Sequence, residues 1–140
     1  MKDFQQIRYV EEDHVARIIL DRPNYRNAQS RKLLEEMDEA FDLAVDNRKI
    51  RMIVLSGEGH SFSAGHDLGT PENIADQESR PYEEGMRGLY KRSAAQNVTN
   101  TLRWRNVPKP TMAIVQGYCI FGGWMIASAM DLIFAADDAM

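Results

Sequence analysis

Four short apolar runs limit what this chain can fold into: VARIIL at 15–20, MIVLS at 52–56, TMAIV at 111–115 and LIFAA at 132–136. Each is too short for a buried helix, rich in β-branched residues, and bounded by turn formers, so each reads as a buried strand. The segments between them have a different period. Ser30 stands where a helix N-cap is expected, and Leu33, Met37, Ala40, Phe41 and Ala44 follow at helical spacing, with Glu35, Glu36, Asp38 and Glu39 facing elsewhere. Met86, Tyr90, Ala94 and Val98 recur every four residues, predicting a helix that runs to about Trp104 and is stopped by Pro108-Lys109-Pro110. A small-residue segment, WMIASAM at 124–130, fits a tightly packed helix. Residues 69–85 are acidic and carry Pro71, Pro81 and Gly85, which reads as a loop. Strands thus alternate with helices, the pattern of an α/β domain with helices packed on a sheet. The alternation stops at Asp137-Asp138-Ala139-Met140, directly after a strand, and we expect a truncated domain.

Composition narrows the function classes. The 140 residues are 44% hydrophobic and 27% charged, ordinary for a globular chain. Seventeen basic against 21 acidic side chains give a net charge of −4, which argues against nucleic acid as a partner. An anionic ligand would need a local basic patch. The lone Cys119 excludes an intrachain disulfide and reads as a small apolar filler. The N-terminal MKDFQQIRYVEEDH is charged throughout, unlike a secretion signal, and no apolar run approaches the roughly 20 residues of a membrane span. The expected setting is a reducing cytoplasm, without membrane contact, and there the Asn97-Val98-Thr99 glycosylation pattern is accidental.

Two strand-to-loop junctions carry the chemistry. Ser63-Ala64-Gly65-His66-Asp67-Leu68 follows the second apolar run, and Gly117-Tyr118-Cys119-Ile120-Phe121-Gly122-Gly123 follows the third. Each can present free backbone N–H groups where a loop turns into a helix. Two such donors aimed at one point would hold a carbonyl oxygen as it gains negative charge. The chain has no phosphate loop, no dinucleotide fingerprint and no GxSxG elbow. His60, His66 and Asp67 lack a second cluster to complete a metal site, so none is expected.

In order and spacing these segments resemble the crotonase (enoyl-CoA hydratase/isomerase) family. The matching blocks are DRPNYRNAQS at 21–30, SGEGHSFSAGHDL at 56–68 and KPTMAIVQGYCIFGGWMIASAMDLIFAADDAM at 109–140. The resemblance implies the N-terminal part of a spiral of β-β-α units over residues 1–140, with the C-terminal helical, trimer-forming part absent. It implies acyl-CoA thioesters as substrates, with coenzyme A arriving as part of the substrate rather than as a resident cofactor. The N–H groups of His66 and Gly122 would form the oxyanion hole. Backbone around Ala64, Gly65, Asp67 and Leu68 would meet the adenine end of coenzyme A, and the turn of Asn24, Tyr25, Arg26 and Ala28 would line the same channel. Arg26 stands where the family often offers a basic side chain to the phosphates. Arg22, Arg31 and Lys32 read as a solvated face, or else add positive potential there. A full-length relative would be a homotrimer or hexamer.

One departure matters for mechanism. Met125 occupies the position of the family's first catalytic glutamate and can neither give nor take a proton; a second glutamate would lie beyond residue 140. Since general acid–base catalysis supplies about 10²–10⁴-fold, ordinary hydratase chemistry at this position should be severely impaired. The remaining readings are a thioester-polarising enzyme with its acid elsewhere, an acyl-CoA hydrolase, or a non-catalytic fragment that binds coenzyme A or partner subunits. The His66 side chain is a second candidate for proton transfer. Asp131 reads as structural, while Trp124 and Phe121 either narrow the acyl pocket, as substrate-binding residues, or fill core, with core the preferred reading for Trp124.

Overall fold

The computed structural model describes residues 3–140; Met1 and Lys2 of the charged N-terminal stretch lie outside the described residues. All four apolar runs are strands, labelled β2 (Val15–Leu20), β3 (Met52–Gly57), β4 (Thr111–Val115) and β5 (Leu132–Ala135). A further strand, β1 (Ile7–Glu12), precedes them. Its sequence IRYVEE is mixed because it is an outer strand, and only Ile7 is buried. β1 and β2 pair antiparallel, with Glu12 opposite Val15. The two linking residues, Asp13 and His14, both have positive φ (47° and 69°), the handedness a two-residue hairpin loop requires. The sheet order is β1-β2-β3-β4-β5, and β2 to β5 are all parallel. The α/β architecture with helical crossovers is the one expected.

Helix α1 (Arg31–Asp46) begins as predicted: the Ser30 hydroxyl accepts the Leu33 N–H at 3.0 Å. Leu33, Leu34, Met37, Ala40, Phe41 and Ala44 form its buried face and meet Ile18, Leu20, Ile53 and Leu55 from the sheet. Glu36 departs from expectation, being buried on that helix rather than facing solvent. Its two oxygens accept the Gln5 and Gln6 N–H groups at 2.9 and 2.8 Å, which ties the entry to β1 onto α1.

The stretch 69–85 is not simply a loop. Residues Pro71–Ser79 form α2, with Thr70 as its side-chain N-cap and Pro71 in the first turn, where its missing N–H costs nothing. Helix α3 (Gly85–Ser93) continues through a π-helical segment (Ala94–Thr99) into α4 (Asn100–Arg105). The helix is therefore continuous to the expected end, but its predicted apolar stripe is not core. Met86 is 80% exposed, Tyr90 74% and Val98 54%. A π turn inserts one residue per turn and rotates the buried face, so a four-residue repeat loses its register. The segment is anchored instead by Trp104, fully buried, stacked on Phe41 (5.6 Å between centroids) and donating its Nε1–H to Asp38 at 2.7 Å.

Helix α5 (Gly122–Ser128) packs through Gly122, Gly123, Ile126 and Ala127. Asp131 is structural as expected: its carboxylate accepts the Thr111 N–H at 2.8 Å, and its own N–H donates to the Thr111 hydroxyl at 2.9 Å, fixing β4 beside β5. β5, expected to be buried, is exposed along all four residues as the outer parallel strand. Cys119 is half-buried against the core, and burial pushes its thiol pKa up. Among the described residues no helix is long and apolar enough to cross a membrane, and no cluster of three or more metal-ligating side chains occurs.

Candidate functional site

β2, β3 and β4 run parallel, so the loops leaving their carboxyl ends emerge on one edge of the sheet, where open α/β sheets commonly bind ligands. Those loops are the three predicted segments. Two isolated parallel bridges, Gln29 with His66 and Ser63 with Cys119, lace the middle loop between its neighbours. Gln29 N–H donates to Gly65 O at 2.8 Å, Asp67 N–H to Gln29 O at 3.0 Å, and Ala64 N–H to Arg26 O at 2.9 Å. On the other side Ser63 N–H donates to Tyr118 O and Ile120 N–H to Ser63 O, both at 3.0 Å. Asn27, buried with φ 52°, adds side-chain bonds to Glu58 O and Ser61 O at 2.9 and 2.8 Å.

The lacing brings residues 65, 66 and 122 into contact. Gly65 has φ +96°, and a Cβ there would stand 2.7 Å from Ile120 O and 3.4 Å from the Gly122 nitrogen. A Cβ on Gly122 would stand 2.8 and 2.9 Å from Cε1 and Nδ1 of His66, and 2.6 Å from the Gln29 side-chain oxygen. Among the described residues, neither the His66 N–H nor the Gly122 N–H donates a hydrogen bond within the chain. The His66 ring is held from its far side, with Nε2 2.7 Å from Asn97 Oδ1 in the π-helical segment. With that oxygen as acceptor, Nε2 carries the proton and Nδ1 keeps a lone pair.

The other predicted residues are spread around this contact. Asn24 and Tyr25 form a 3₁₀ turn (Pro23–Tyr25), and Arg26 closes it in the left-handed region with its guanidinium 5.5 Å over the Tyr118 ring. Ala28 and Ala64 are half-buried, while Leu68 is 98% exposed. Phe121 caps α5 with φ 47° and is exposed, so it is not core. Trp124 is also corrected: it is 56% exposed, because α5 turns its Gly122, Gly123 and Ile126 face inward instead. Met125 is half-buried and follows the N-terminal turn of α5, with its N–H bonded to Phe121 O.

Of three further basic residues, Arg22 and Arg31 differ from expectation and Lys32 does not. The side chains of Arg22 and Asp67 are 3% and 0% exposed and pair at 2.9 Å, so Arg22 is neither a solvated face nor free positive potential. Burial alone would raise the Asp67 carboxyl. Hydrogen bonds from the Thr70 hydroxyl, the Thr70 and Gly69 N–H groups and Arg22 outweigh it and hold the carboxyl below the usual carboxylate range. Arg31 is largely buried and paired with Asp76 at 2.7 Å. Lys32 is partly exposed and pairs with Glu36 on its own helix.

A cleft of about 350 Å³ opens beside the His66 ring, lined by Gln29, Arg31, Tyr82, Arg92 and Asn97 among others. Tyr82, Arg92 and Asn97 lie outside the three matching blocks, Asn97 only in a glycosylation pattern read as accidental; α3 carries Arg92 and the π-helical segment carries Asn97. A larger hollow of about 480 Å³ near Gln5, Glu35 and Arg80 contains none of the predicted site residues.

The chain is similar to known proteins in both sequence and fold. The family described as enoyl-CoA hydratase/isomerase matches residues 10–140. EchA13 of Mycobacterium tuberculosis, which carries an enoyl-CoA hydratase name, is 36% identical over 99% of this chain and 48% of its own length. A hydroxycinnamoyl-CoA hydratase-lyase of Pseudomonas fluorescens is 35% identical over 91% of this chain and 44% of its own length. The crystal structure of a probable enoyl-CoA hydratase from Mycobacterium smegmatis superposes with a TM-score of 0.83 at 41% identity, covering 95% of this chain and 50% of the other. The chain spans about half the length of the relatives it matches. It belongs to the enoyl-CoA hydratase/isomerase family and carries the crotonase fold.

Proposed function

We propose that this chain binds an acyl-CoA thioester and polarises its carbonyl between the N–H groups of His66 and Gly122. The observation that carries the reading is the close approach of Gly122 to residues 65 and 66, with both amides left without a partner in the chain. A preorganised donor of this kind contributes about 2.7–4 kcal/mol to a transition state that develops an oxyanion. Coenzyme A enters as part of the substrate, along the turn of residues 24–28 and the backbone of 64–68, with Arg26 offered to its phosphates.

Enolate or tetrahedral oxyanion stabilisation needs only the two donors. Proton transfer needs a further group, because Met125 stands where the family places its glutamate. In this chain the His66 ring stands beside Gly122 with its Nδ1 free of the Asn97 bond, which makes it the candidate for proton transfer. A homotrimer or hexamer is the assembly expected of a full-length relative.

Calorimetric titration with crotonyl-CoA tests the binding, and loss of the crotonyl thioester's ultraviolet absorbance tests turnover. Gly122→Pro removes one donor at the first helical position, and its ring carbons also press on the ends of the Gln29 and His66 side chains. Binding of crotonyl-CoA by the parent chain, lost or strongly weakened in the variant, is the expected outcome. Undiminished binding by Gly122→Pro would remove Gly122 from the site.

A further inference from the structure

We infer that the cleft beside His66 selects acyl-CoA thioesters whose acyl chain ends in a carboxylate, with Arg92 as the residue that binds it. The inference rests on the thioester reading above and adds the substrate class. Its starting point is charge left over. Arg31 is committed to Asp76 at 2.7 Å, and Asp67 to Arg22 at 2.9 Å. Glu83, which shares a smaller neighbouring hollow with Arg92, is taken by Lys91 at 2.6 Å and Arg87 at 3.6 Å. Among the described residues, Arg92 makes no ion pair and no hydrogen bond. Its guanidinium instead lies 4.9 Å from the centroid of the Tyr82 ring, on which Arg31 also rests at 4.4 Å.

This unspent cation lines the cleft in company that suits a polar guest. Gln96 donates to the Tyr82 hydroxyl at 2.8 Å, which fixes the ring that supports Arg92. Gln29 and Asn97 add amide groups, and Leu68 is the one aliphatic side chain among the lining residues. A saturated hydrocarbon tail would leave these groups desolvated and unpaired, which is costly. A carboxylate would meet a planar five-donor fork. The cleft shares Asp67 and Leu68 with the backbone proposed for coenzyme A, and from His66 it extends away along the π-helical segment, where none of Asn24, Tyr25, Arg26 and Ala28 lines it. The acyl chain takes that far end, beside Asn97 and Arg92.

The experiment compares glutaryl-CoA, pentanoyl-CoA and coenzyme A alone by calorimetry on the parent chain, Arg92→Gln and Arg92→Lys. Glutaryl-CoA should bind the parent roughly tenfold tighter than its neutral five-carbon counterpart, the worth of one charge-assisted hydrogen-bonded pair. Arg92→Gln should erase that preference while leaving pentanoyl-CoA and coenzyme A within about twofold of the parent. Arg92→Lys should restore part of it, a rescue that a folding defect would not give. Equal binding of the two thioesters by the parent overturns the inference and leaves the thioester reading standing. A loss of coenzyme A affinity itself in Arg92→Gln also overturns it, since Arg92 would then serve the coenzyme's phosphates. Failure of all three compounds to bind the parent would sink the thioester reading and this inference together.

Discussion

The Asp67 carboxylate lies 2.9 Å from the Arg22 guanidinium, with both side chains almost wholly withdrawn from solvent. The pair clamps the loop that follows β3 onto the turn that follows β2. Thr70 and Gly69 complete the acceptor set of Asp67, and Thr70 also caps α2, so one carboxylate organises the loop and the helix after it. Its position one residue beyond His66 makes it a support for the proposed oxyanion hole rather than a ligand to substrate.

Asp67→Asn should therefore lose about 1.5–3 kcal/mol of stability, because it removes the charge-assisted hydrogen bonds of the buried carboxylate and leaves Arg22 with only the half-exposed Glu72 as counter-charge, at 3.1 Å. The direction with pH is fixed by the depressed carboxyl. Its contribution is fully present above the unfolded-state value of about 3.9 and is lost as pH falls through the lower folded value. Urea midpoints measured from neutral to acid pH check both points: the parent should lose stability in that range, and the variant should lose less. A variant as stable as the parent at neutral pH would show that the pair is dispensable.

Gly65 and Gly122 should respond differently to alanine. At Gly65 the new Cβ meets a backbone oxygen, Ile120 O, at 2.7 Å, and the φ of +96° is itself strained for a side chain. Backbone cannot step aside cheaply, so Gly65→Ala should cost about 1–3 kcal/mol in a denaturant titration. At Gly122 the Cβ meets the ends of Gln29 and His66, which can rotate away. Gly122→Ala should fold with less loss, yet weaken crotonyl-CoA binding because the new methyl group stands directly beside one of the two proposed donors. Equal stability losses at the two positions would contradict this ranking.

The contrast between Gly65 and Tyr82 explains how far the sequence alone could be read. Gly65, His66, Gly122 and the strands behind them are local signals: an apolar run of five or six residues, a turn, and a glycine where two backbones touch. Such patterns are written in consecutive residues. Tyr82, between α2 and α3, Arg92 on α3 and Asn97 in the π-helical segment are brought to the cleft by tertiary packing. Pro71 looked like a breaker when it was a helix start, and the π turn leaves no periodic trace. Trp104 gave no hint of being the anchor, because its partner Phe41 is far away in sequence and the apparent stripe of Met86, Tyr90 and Val98 pointed to another face. Exposure at β5, Phe121 and Trp124 escaped prediction for the same reason: apolar character says what could be buried, whereas tertiary packing decides what is.

Trp104→Ala should destabilise the chain by about 3–5 kcal/mol, the cost of removing a large buried aromatic side chain. The ring stacks on Phe41 and its Nε1–H is a partner of Asp38, whose carboxyl burial already holds above its usual range against the opposing pull of Arg103 and of that same hydrogen bond. Losing the indole releases α4 from α1, and through the continuous helix it loosens the π-helical segment that holds Asn97. Thermal melting reads the first effect. Faster amide hydrogen exchange over residues 94–105 than over α1 reads the second, and uniform exchange across both would mean that the anchor acts only globally.

Asn97→Leu tests whether the His66 ring is oriented by its one side-chain partner. The replacement keeps the branched shape and the heavy-atom count but removes the oxygen 2.7 Å from Nε2. In the parent, long-range proton–nitrogen correlation on histidine-labelled protein should show the Nε2–H tautomer, leaving Nδ1 as the lone-pair nitrogen toward Gly122. In the variant that preference should fade, with a stability loss of only about 0.5–1.5 kcal/mol, the net worth of one hydrogen bond. Crotonyl-CoA binding should persist, because the proposed donors at residues 66 and 122 are backbone groups, while any turnover that uses the ring should fall. If the tautomer is unchanged by Asn97→Leu, the ring is oriented by something other than the π-helical segment, and proton transfer by His66 loses its structural support.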